Sequence, residues 1–400
     1  MFKKPEFIFI IFALIFGFFM LFITPKFGVS DEPAHFIRAK EVSQGILYNN
    51  LPENRTDNYQ YHGASGYSPV MYSFAGVTLK LTQKFNEDFQ FYAGRIANLI
   101  VWILLIALAI HITPIFKWAF FVTALLPMSV FEGMSYSADS FSNAFAFLYF
   151  AYIFKLIFNE KEFSYKKDFL LLLLFSITGA LSKGIILPLL LVPFIPIKKH
   201  KYLIFTTLII SAIATGCLWS HYNYVALAKN VNYAYNQSYI IHHPIEFGKL
   251  LIKTYCQNGT HLYGQALGKL GWQKIPLNNI SYGLITFTLM MSLIFLPEKY
   301  RIDRKLKFFG LIIFIIYTIT LSCLMYCMCN TPNDIRIIGL QGRYFLSMFP
   351  ALFLTFYIGV KNKHQNLIKI FITIICFVIL CQTCFKLYDI LQLGEQHFFM

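Results

Sequence analysis

The chain has 400 residues, a formal net charge of +15 and 44 phenylalanines. Because 57% of the residues are hydrophobic and only 13% are charged, the composition excludes a string of soluble domains. It predicts an all-α polytopic membrane protein in which residues 1–400 form a single integral membrane domain. The basic residues lie in short clusters between apolar runs, a pattern that sets membrane topology and does not indicate nucleic-acid binding.

The first predicted element is an apolar run from Glu6 to Thr24, which follows Lys3 and Lys4. It is long enough to cross a hydrocarbon core of roughly 30 Å as a helix. No small-residue cleavage pattern follows it, so we expect an uncleaved signal anchor. Ten later runs bring the prediction to about eleven transmembrane helices; they start near Ala93, Pro114, Ser137, Asp168, Gly184, Tyr202, Ser281, Lys307, Arg343 and Leu367.

The basic clusters predict which connections face the cytoplasm. With the N-terminus inside, a few short segments hold more than half of the 34 Lys and Arg residues, as the positive-inside rule requires. We therefore expect a multi-pass membrane protein with a cytoplasmic N-terminus. The predicted inner segments are 1–4, the turn at Lys117, 155–168, 197–201, 298–307 and 361–369.

Two more helices are predicted to lie along the outer surface without crossing. One covers residues 33–47, and the other covers 67–84, "YSPVMYSFAGVTLKLTQK". If the second crossed the membrane, the Lys-rich loops near Lys155 and Lys198 would both move outside, against the positive-inside rule. The first outer loop then covers residues 25–92, and the second covers 220–280.

The stretch "SDEPAHFIRAKEVSQG" opens the first surface helix. Ser30 or Asp31 can cap a helix, and acidic residues suit its positive end, which is the structural interpretation. On a helix, Asp31, His35 and Arg38 also share one stripe at i, i+4 and i+7. A partly desolvated carboxylate beside a cation can serve as a general base, so Asp31 and Glu32 are the candidate catalytic residues.

Other polar residues fall at the outer mouth, by which we mean the predicted outer ends of the spans and the loops beside them. Arg95 and Asn98 are three residues apart at the outer end of a span, where an arginine either snorkels or binds a phosphate. Lys183 stands between two short apolar runs and needs a partner. Arg343 opens a helix, where its charge opposes the dipole and favours a ligand role. The predicted substrate-binding residues are His35, Arg38, Tyr67, Arg95, Asn98, Lys183, Gln341 and Arg343.

Asp139 begins a span, where it can cap the helix. Together with Asp31 it could also hold a divalent cation, Mg²⁺ or Mn²⁺, and no other cofactor is expected. Nucleotide-binding and hydrolase motifs such as GxxxxGK[ST], HExxH and GxSxG do not occur, which disfavours nucleotide chemistry. Eight cysteines are scattered, and a disulfide is possible among Cys256, Cys327 and Cys329.

Several blocks together resemble a known family. In order they are "SDEPAHFIRAKEVSQG", "YSPVMY", "GRIANL", "SYSADSFSN", "LSKGIILPLLLVPFIP", "LGKLGW" and "QGRYFLSMFP". They are similar to a family of bacterial polytopic membrane proteins catalogued as domain of unknown function 2142, over about residues 7–357. One departure follows the tryptophan of "GWQKIPL", where Gln273 and Lys274 stand in place of an expected acid.

That family in turn resembles the GT-C fold glycosyltransferases. The resemblance implies an acid near the start of the first outer loop, two juxtamembrane helices in that loop and a polyprenyl-phosphate sugar donor. Asp31 or Glu32 matches the acid by position. The resemblance implies a location in the bacterial cytoplasmic (inner) membrane. The implied function is sugar transfer from polyprenyl phosphate to a cell-surface glycan or a lipid-linked acceptor, with membrane lipids as further partners.

Two other functions remain open at this point. A flippase or carrier of lipid-linked glycans would use the same cations only to bind phosphate. In a noncatalytic protein of envelope assembly, the outer acids would be helix caps and nothing more.

Overall fold

The computed structural model describes residues 4–48, 63–158, 162–223, 230–332 and 334–393. Within these ranges the regular structure is helical, apart from one antiparallel bridge between Leu270 and Ile275, so the all-α prediction is confirmed for them. The α-helices are α1 Pro5–Ile23, α2 Glu32–Ser43, α3 Ser73–Leu81, α4 Glu87–Ile112, α5 Lys117–Ala124, α6 Pro127–Gly133, α7 Ala138–Ile157, α8 Lys167–Leu181, α9 Lys201–Tyr222, α10 Tyr233–His242, α11 Pro244–Gly268, α12 Asn279–Ile294, α13 Arg304–Cys329, α14 Phe349–Phe356 and α15 Gln365–Gln392. The described residues also form 3₁₀ helices at Pro69–Tyr72, Leu187–Phe194 and Gly342–Met348.

In the described chain, 6 helices are long and apolar enough to cross a membrane: α1, α4, α7, α9, α13 and α15. Helix α7 is the most enclosed of them, with 83% of its apolar window buried, whereas α9 is only 17% buried. A multi-pass membrane protein is therefore confirmed. Helix α7 lies at the centre, and α9 and α13 lie at the periphery.

The other five predicted spans are short or broken, so the structure does not confirm the count of eleven. The runs near Asp168 and Ser281 form helices of only 15 and 16 residues, α8 and α12. Proline explains the remaining three, because its ring fixes φ and removes a backbone donor. Pro127 divides one run into α5 and α6, and Pro193 lies inside the 3₁₀ helix Leu187–Phe194. Pro350 lies in the first turn of α14, which follows another 3₁₀ helix.

Helices are present in both segments that were predicted to lie along the outer surface, and the two helices lie side by side. Helix α2 packs on α3, and a Cβ at Gly76 would come within 2.9 Å of Val42. The second predicted loop is also largely helical, because α10 and α11 occupy most of residues 220–280. All eight cysteines lie in the described ranges and none of them forms a disulfide there, so no disulfide joins Cys256, Cys327 and Cys329.

Three of the predicted inner segments contact one another through described residues. Phe158 and Tyr300 place their rings 5.5 Å apart, which joins segment 155–168 to segment 298–307. The backbone N–H of Phe116, beside the Lys117 turn, donates to Glu298 at 2.6 Å. These contacts fit the predicted grouping of the three segments, and the side of the membrane that they face stays a prediction.

Gly342 marks a close contact that positions the neighbouring arginine. Its backbone N–H donates to Gln265 Oε1 at 2.7 Å, and a Cβ here would lie 1.9 Å from the Leu262 carbonyl oxygen. The 3₁₀ helix that carries Arg343 therefore lies directly against the backbone of α11.

We expect Gly342→Ala to lower the thermal midpoint in detergent, because the added methyl group would push this 3₁₀ helix away from α11. Overpacking of this kind typically costs about 1–3 kcal/mol. Gly283→Ala is the matched control, because Gly283 lies inside α12 and a methyl group added there would have no other atom within 4 Å. Equal midpoints for the two variants would contradict the close contact.

Candidate functional site

Arg343 is the centre of a buried charge cluster. Its Nη1 lies 2.8 Å from Glu132 Oε1, its Nη2 lies 2.6 Å from Asp31 Oδ2, and its Nε lies 3.2 Å from Asp139 Oδ2. Nη1 also donates to the carbonyl oxygen of Ser30 at 3.2 Å. One guanidinium group thus holds together carboxylates from the start of α2, the end of α6 and the first turn of α7.

Asp31 is the most accessible acid of this cluster. Its side chain is 42% exposed, whereas those of Glu132 and Asp139 are 3% and 2% exposed. Among the described residues, its side-chain partners are Arg343 and Gln341 Nε2, and both bind Oδ2. Asp31 also has a left-handed φ of +64°, a conformation that costs energy for a residue with a side chain and that clusters at functional sites.

Lys183 joins the same cluster through its contact with Asp139. Its Nζ lies 2.5 Å from Asp139 Oδ1 and faces the rings of Tyr67 and Tyr344, at 5.3 and 4.9 Å from their centroids. Burial alone would lower the pKa of Lys183, but the Asp139 carboxylate raises it above its usual value. Lys183 therefore keeps its charge.

Two pockets meet at Lys183. The larger has a volume of about 380 Å³ and a polar end formed by Asp139, Asn143 and Lys183. Its other walls are mainly apolar and come from the segment before Leu187 and from helix α13: Ile185, Ile186, Leu187, Leu321, Leu324 and Met325.

The smaller pocket is polar and measures about 50 Å³. Asp31, His35 and Arg343 line it. Its boundary with the larger pocket is shared, because three residues line both: Tyr67, Lys183 and Tyr344. A ligand with an apolar chain and a polar head could therefore occupy the two pockets together.

His35 forms the back of the small pocket. Its Nδ1 lies 2.6 Å from the Tyr72 hydroxyl, and its ring is parallel to that of Tyr67 at 5.9 Å. Burial, together with the positive charge of Lys183, lowers the pKa of His35 to about 3. The imidazole is therefore neutral at physiological pH.

This neutral histidine predicts a specific acid sensitivity. An unfolded chain protonates its histidine below about pH 6.5, whereas the folded chain does not do so until about pH 3. Because only the unfolded chain takes up this proton, the free energy of unfolding is highest above pH 6.5. It falls as the pH drops, by on the order of 2 kcal/mol between pH 6.5 and 5. Thermal midpoints of wild type and His35→Gln should converge over this range. A constant gap between the two would show that His35 is not held neutral.

Glu32, in contrast to Asp31, points away from both pockets. It forms a closed ion pair with Arg95, whose Nε and Nη2 lie 2.9 and 2.6 Å from the two carboxylate oxygens. Arg95 also donates to the carbonyl oxygens of Leu21, Thr24 and Pro25. Both side chains of the pair are fully buried, so this contact fastens the end of α1 to α2 and α4.

Arg38 and Asn98 likewise bind the protein itself. Arg38 donates to Glu41 and to the carbonyl oxygens of Tyr67, Ile46 and Leu47. Asn98 donates to the Ser135 carbonyl oxygen at 2.8 Å. Neither these two residues nor Arg95 line the large or the small pocket. Their contacts favour a positioning role, and their assignment to substrate binding stays a prediction.

The predicted divalent-cation pair does not form a ready set of ligands. Asp31 and Asp139 contact different nitrogens of the Arg343 guanidinium, Nη2 and Nε, and Asp139 also binds Lys183. In the described residues no group of three or more His, Cys, Asp or Glu side chains is arranged to hold a metal ion. Because both carboxylates already have cationic partners, metal binding by this pair stays a prediction.

The structure adds site residues that the sequence analysis did not select. Glu132 is a fully buried acid within the apolar stretch "LLPMSVFEGMS", and a charge in such a run is itself a functional signal. Tyr344 follows Arg343 directly and lines both pockets. Gln273 lies where the family resemblance led us to expect an acid. It borders a cavity of about 10 Å³ that Glu132 and Arg343 also line.

A large part of the chain matches a known protein family. Residues 47–352 match the model of a family described as a predicted membrane protein, DUF2142. The chain belongs to this family. The match confirms the resemblance seen in the sequence blocks, and the matched part contains Lys183, Arg343 and every residue of the large pocket. No curated protein and no solved structure matches the chain.

Proposed function

We propose that the protein is an inverting membrane glycosyltransferase that moves a sugar from a polyprenyl-phosphate donor to a cell-surface glycan or lipid-linked acceptor. We place the reaction at the outer face of the cytoplasmic membrane, with the N-terminus in the cytoplasm. The observation that supports this best is the junction of an apolar pocket with a polar one at Lys183.

The apolar pocket suits a prenyl chain. Leu324 lines the pocket and is 46% exposed, which supports an opening of the apolar wall toward the bilayer. A chain could therefore enter from the bilayer while its phosphate stops at Lys183. A charge-assisted contact between this ammonium group and a phosphate oxygen stabilises the leaving group as its negative charge develops.

The chemical step needs one base and one leaving group. An acceptor hydroxyl oxygen attacks the anomeric carbon of the sugar, and its proton passes to the carboxylate of Asp31. The bond from the anomeric carbon to the phosphate oxygen breaks, and polyprenyl phosphate leaves with the electron pair. Arg343 holds Asp31 through Oδ2 and so orients the carboxylate for this transfer.

A lipid-binding experiment tests the donor site. We expect the purified protein to carry polyprenyl-phosphate sugar, detectable by mass spectrometry of its extracted lipids, and Leu321→Trp to lower the bound amount at least about tenfold by filling the apolar pocket. Ile319→Trp is the control, because Ile319 is 44% exposed on the same helix and does not line the pocket. The proposal would be contradicted if the wild-type protein carried no polyprenyl-phosphate sugar, or if both variants lost the bound lipid equally.

A carrier of lipid-linked glycans would bind the same lipid, so a second measurement separates the two functions. Protein in vesicles is given the lipid that copurifies with it and an extract of surface glycan as acceptor. Appearance of the sugar on the glycan supports transfer. Movement of the lipid between leaflets without sugar transfer would instead favour the carrier.

A further inference from the structure

The small polar pocket contains a hydrogen-bond donor whose identity follows from a buried tyrosine. Tyr72 is 0% exposed and packs among Phe36, Phe91 and Tyr136. Burial raises the pKa of Tyr72 well above its usual value, so the phenol keeps its proton. In the described part of the chain, the partner of this hydroxyl is His35 Nδ1, at 2.6 Å.

This contact fixes the tautomer of His35. If Nδ1 carried the proton and donated it to Tyr72, the tyrosine O–H would be buried without an acceptor, at a cost of about 1–3 kcal/mol. When Tyr72 donates instead, Nδ1 is the acceptor and the proton of the neutral ring lies on Nε2. The parallel ring of Tyr67 at 5.9 Å holds the imidazole plane in place.

The Nε2 donor is carried by a side chain that lines a pocket together with an acceptor, the Asp31 carboxylate. Among the described residues Nε2 has no hydrogen-bond partner, and His35 and Asp31 both line the pocket of about 50 Å³. Since a bound water needs roughly 10–15 Å³, the pocket has room for a few heavy atoms and not for a whole sugar ring. A donor and an acceptor in so small a space suit a group that both accepts and donates a hydrogen bond, as the hydroxyl of an alcohol does.

We propose that this pocket is the hydroxyl subsite of the acceptor, in which the His35 imidazole donates through Nε2 to the hydroxyl oxygen while Asp31 accepts the hydroxyl proton. This inference rests on the proposed function and adds to it. It assigns His35 to the acceptor, not to the phosphate, and it makes Tyr72 a positioning residue. The favoured substrate group is a small, unhindered hydroxyl-bearing carbon that can enter the pocket while the rest of the acceptor stays outside.

The tautomer can be measured without any knowledge of the substrate. The chain has 10 histidines, so nitrogen NMR of protein labelled with ¹⁵N-histidine, compared with His35→Gln, identifies the His35 signals by their disappearance. We expect an unprotonated Nδ1 and a protonated Nε2, unchanged at pH 5, and a changed Nδ1 signal in Tyr72→Phe. A protonated Nδ1, or a Tyr72→Phe spectrum identical to wild type, would overturn the assignment.

The subsite is tested by complementing a deletion strain and comparing its surface glycans. His35→Phe should lower transfer about tenfold through the loss of one hydrogen bond. His35→Gln should lose less, because an amide can accept from Tyr72 with its oxygen and donate into the pocket with its nitrogen. Membrane levels and thermal midpoints identify any variant that fails to fold.

The outcomes separate this inference from the proposed function. If the deletion removes a sugar that folded His35→Phe restores fully, the subsite is wrong while sugar transfer stands. If the deletion changes no glycan, the proposed function fails and the acceptor role of the subsite fails with it. In that case the NMR spectrum still decides whether His35 presents a donor to the pocket.

Discussion

Asp31→Asn is expected to produce a folded protein that transfers sugar about 10² to 10⁴ times more slowly than wild type, the usual contribution of a general base. The asparagine side-chain oxygen can still accept from Arg343 Nη2, which lies 2.6 Å from Asp31 Oδ2, so the local structure should survive. An amide cannot take the proton of the acceptor hydroxyl. The readout is the rate at which the transferred sugar appears on surface glycans in the complemented strain.

Asp88→Asn serves as the control for this substitution. Asp88 is near the start of α4, its side chain is 74% exposed, and it pairs with Lys26 at the surface. It should support wild-type transfer. If Asp31→Asn folds normally and matches Asp88→Asn in rate, Asp31 is not the base.

Arg95→Met is expected to prevent stable folding. The substitution leaves the Glu32 carboxylate buried without its cation and removes the donors to three carbonyl oxygens at the end of α1. Loss of one partner of a buried ion pair typically costs about 3–5 kcal/mol. The expected result is a large fall in membrane-inserted protein and in thermal midpoint, with any loss of activity following from it.

A second ion pair between α2 and α4 provides a matched control. Lys40 and Glu87 lie 2.8 Å apart, but their side chains are 40% and 64% exposed. Lys40→Met should cost only about 0–1 kcal/mol, as exposed pairs usually do. If Arg95→Met folds as well as Lys40→Met but no longer binds the polyprenyl-phosphate lipid, Arg95 acts on the substrate as the sequence first predicted.

The sequence predicted much of the site because charges are rare in an apolar chain. Asp31, Asp139, Lys183 and Arg343 are separated by 44 to 312 positions, yet the positive-inside rule assigns all of them to the outer mouth. A buried charge needs a partner. Because few polar side chains are predicted at the outer mouth, these residues were each other's most available partners. The structure brings these four together.

The division of roles between Asp31 and Glu32 could not be predicted in this way. Adjacent residues point in different directions, and only the packing of α2 against α4 shows that Glu32 meets Arg95 while Asp31 stays accessible. The left-handed backbone of Asp31 has no signal in a single sequence. For Arg38, the stripe with Asp31 and His35 was a sound helical prediction, but the guanidinium turns to the carbonyl oxygens of Ile46 and Leu47.

The expected number of spans was the weakest part of the fold prediction. Hydropathy measures only the length of an apolar run. A run crosses the membrane as one helix only if proline does not interrupt its backbone hydrogen bonds. Pro127, Pro193 and Pro350 interrupt three of the runs. One of those interruptions, the 3₁₀ turn before Pro350, places Arg343 within the charge cluster, so the same feature that breaks the span builds the site.

The most direct test of sugar transfer is a comparison of surface glycans, by mass spectrometry, between wild type, a strain that lacks the gene and the same strain complemented with wild type or Asp31→Asn. We predict that the deletion removes one sugar from one glycan and that only the wild-type gene restores it. An unchanged glycan in the deletion strain, or full restoration by a folded Asp31→Asn protein, would contradict the proposed transfer at Asp31.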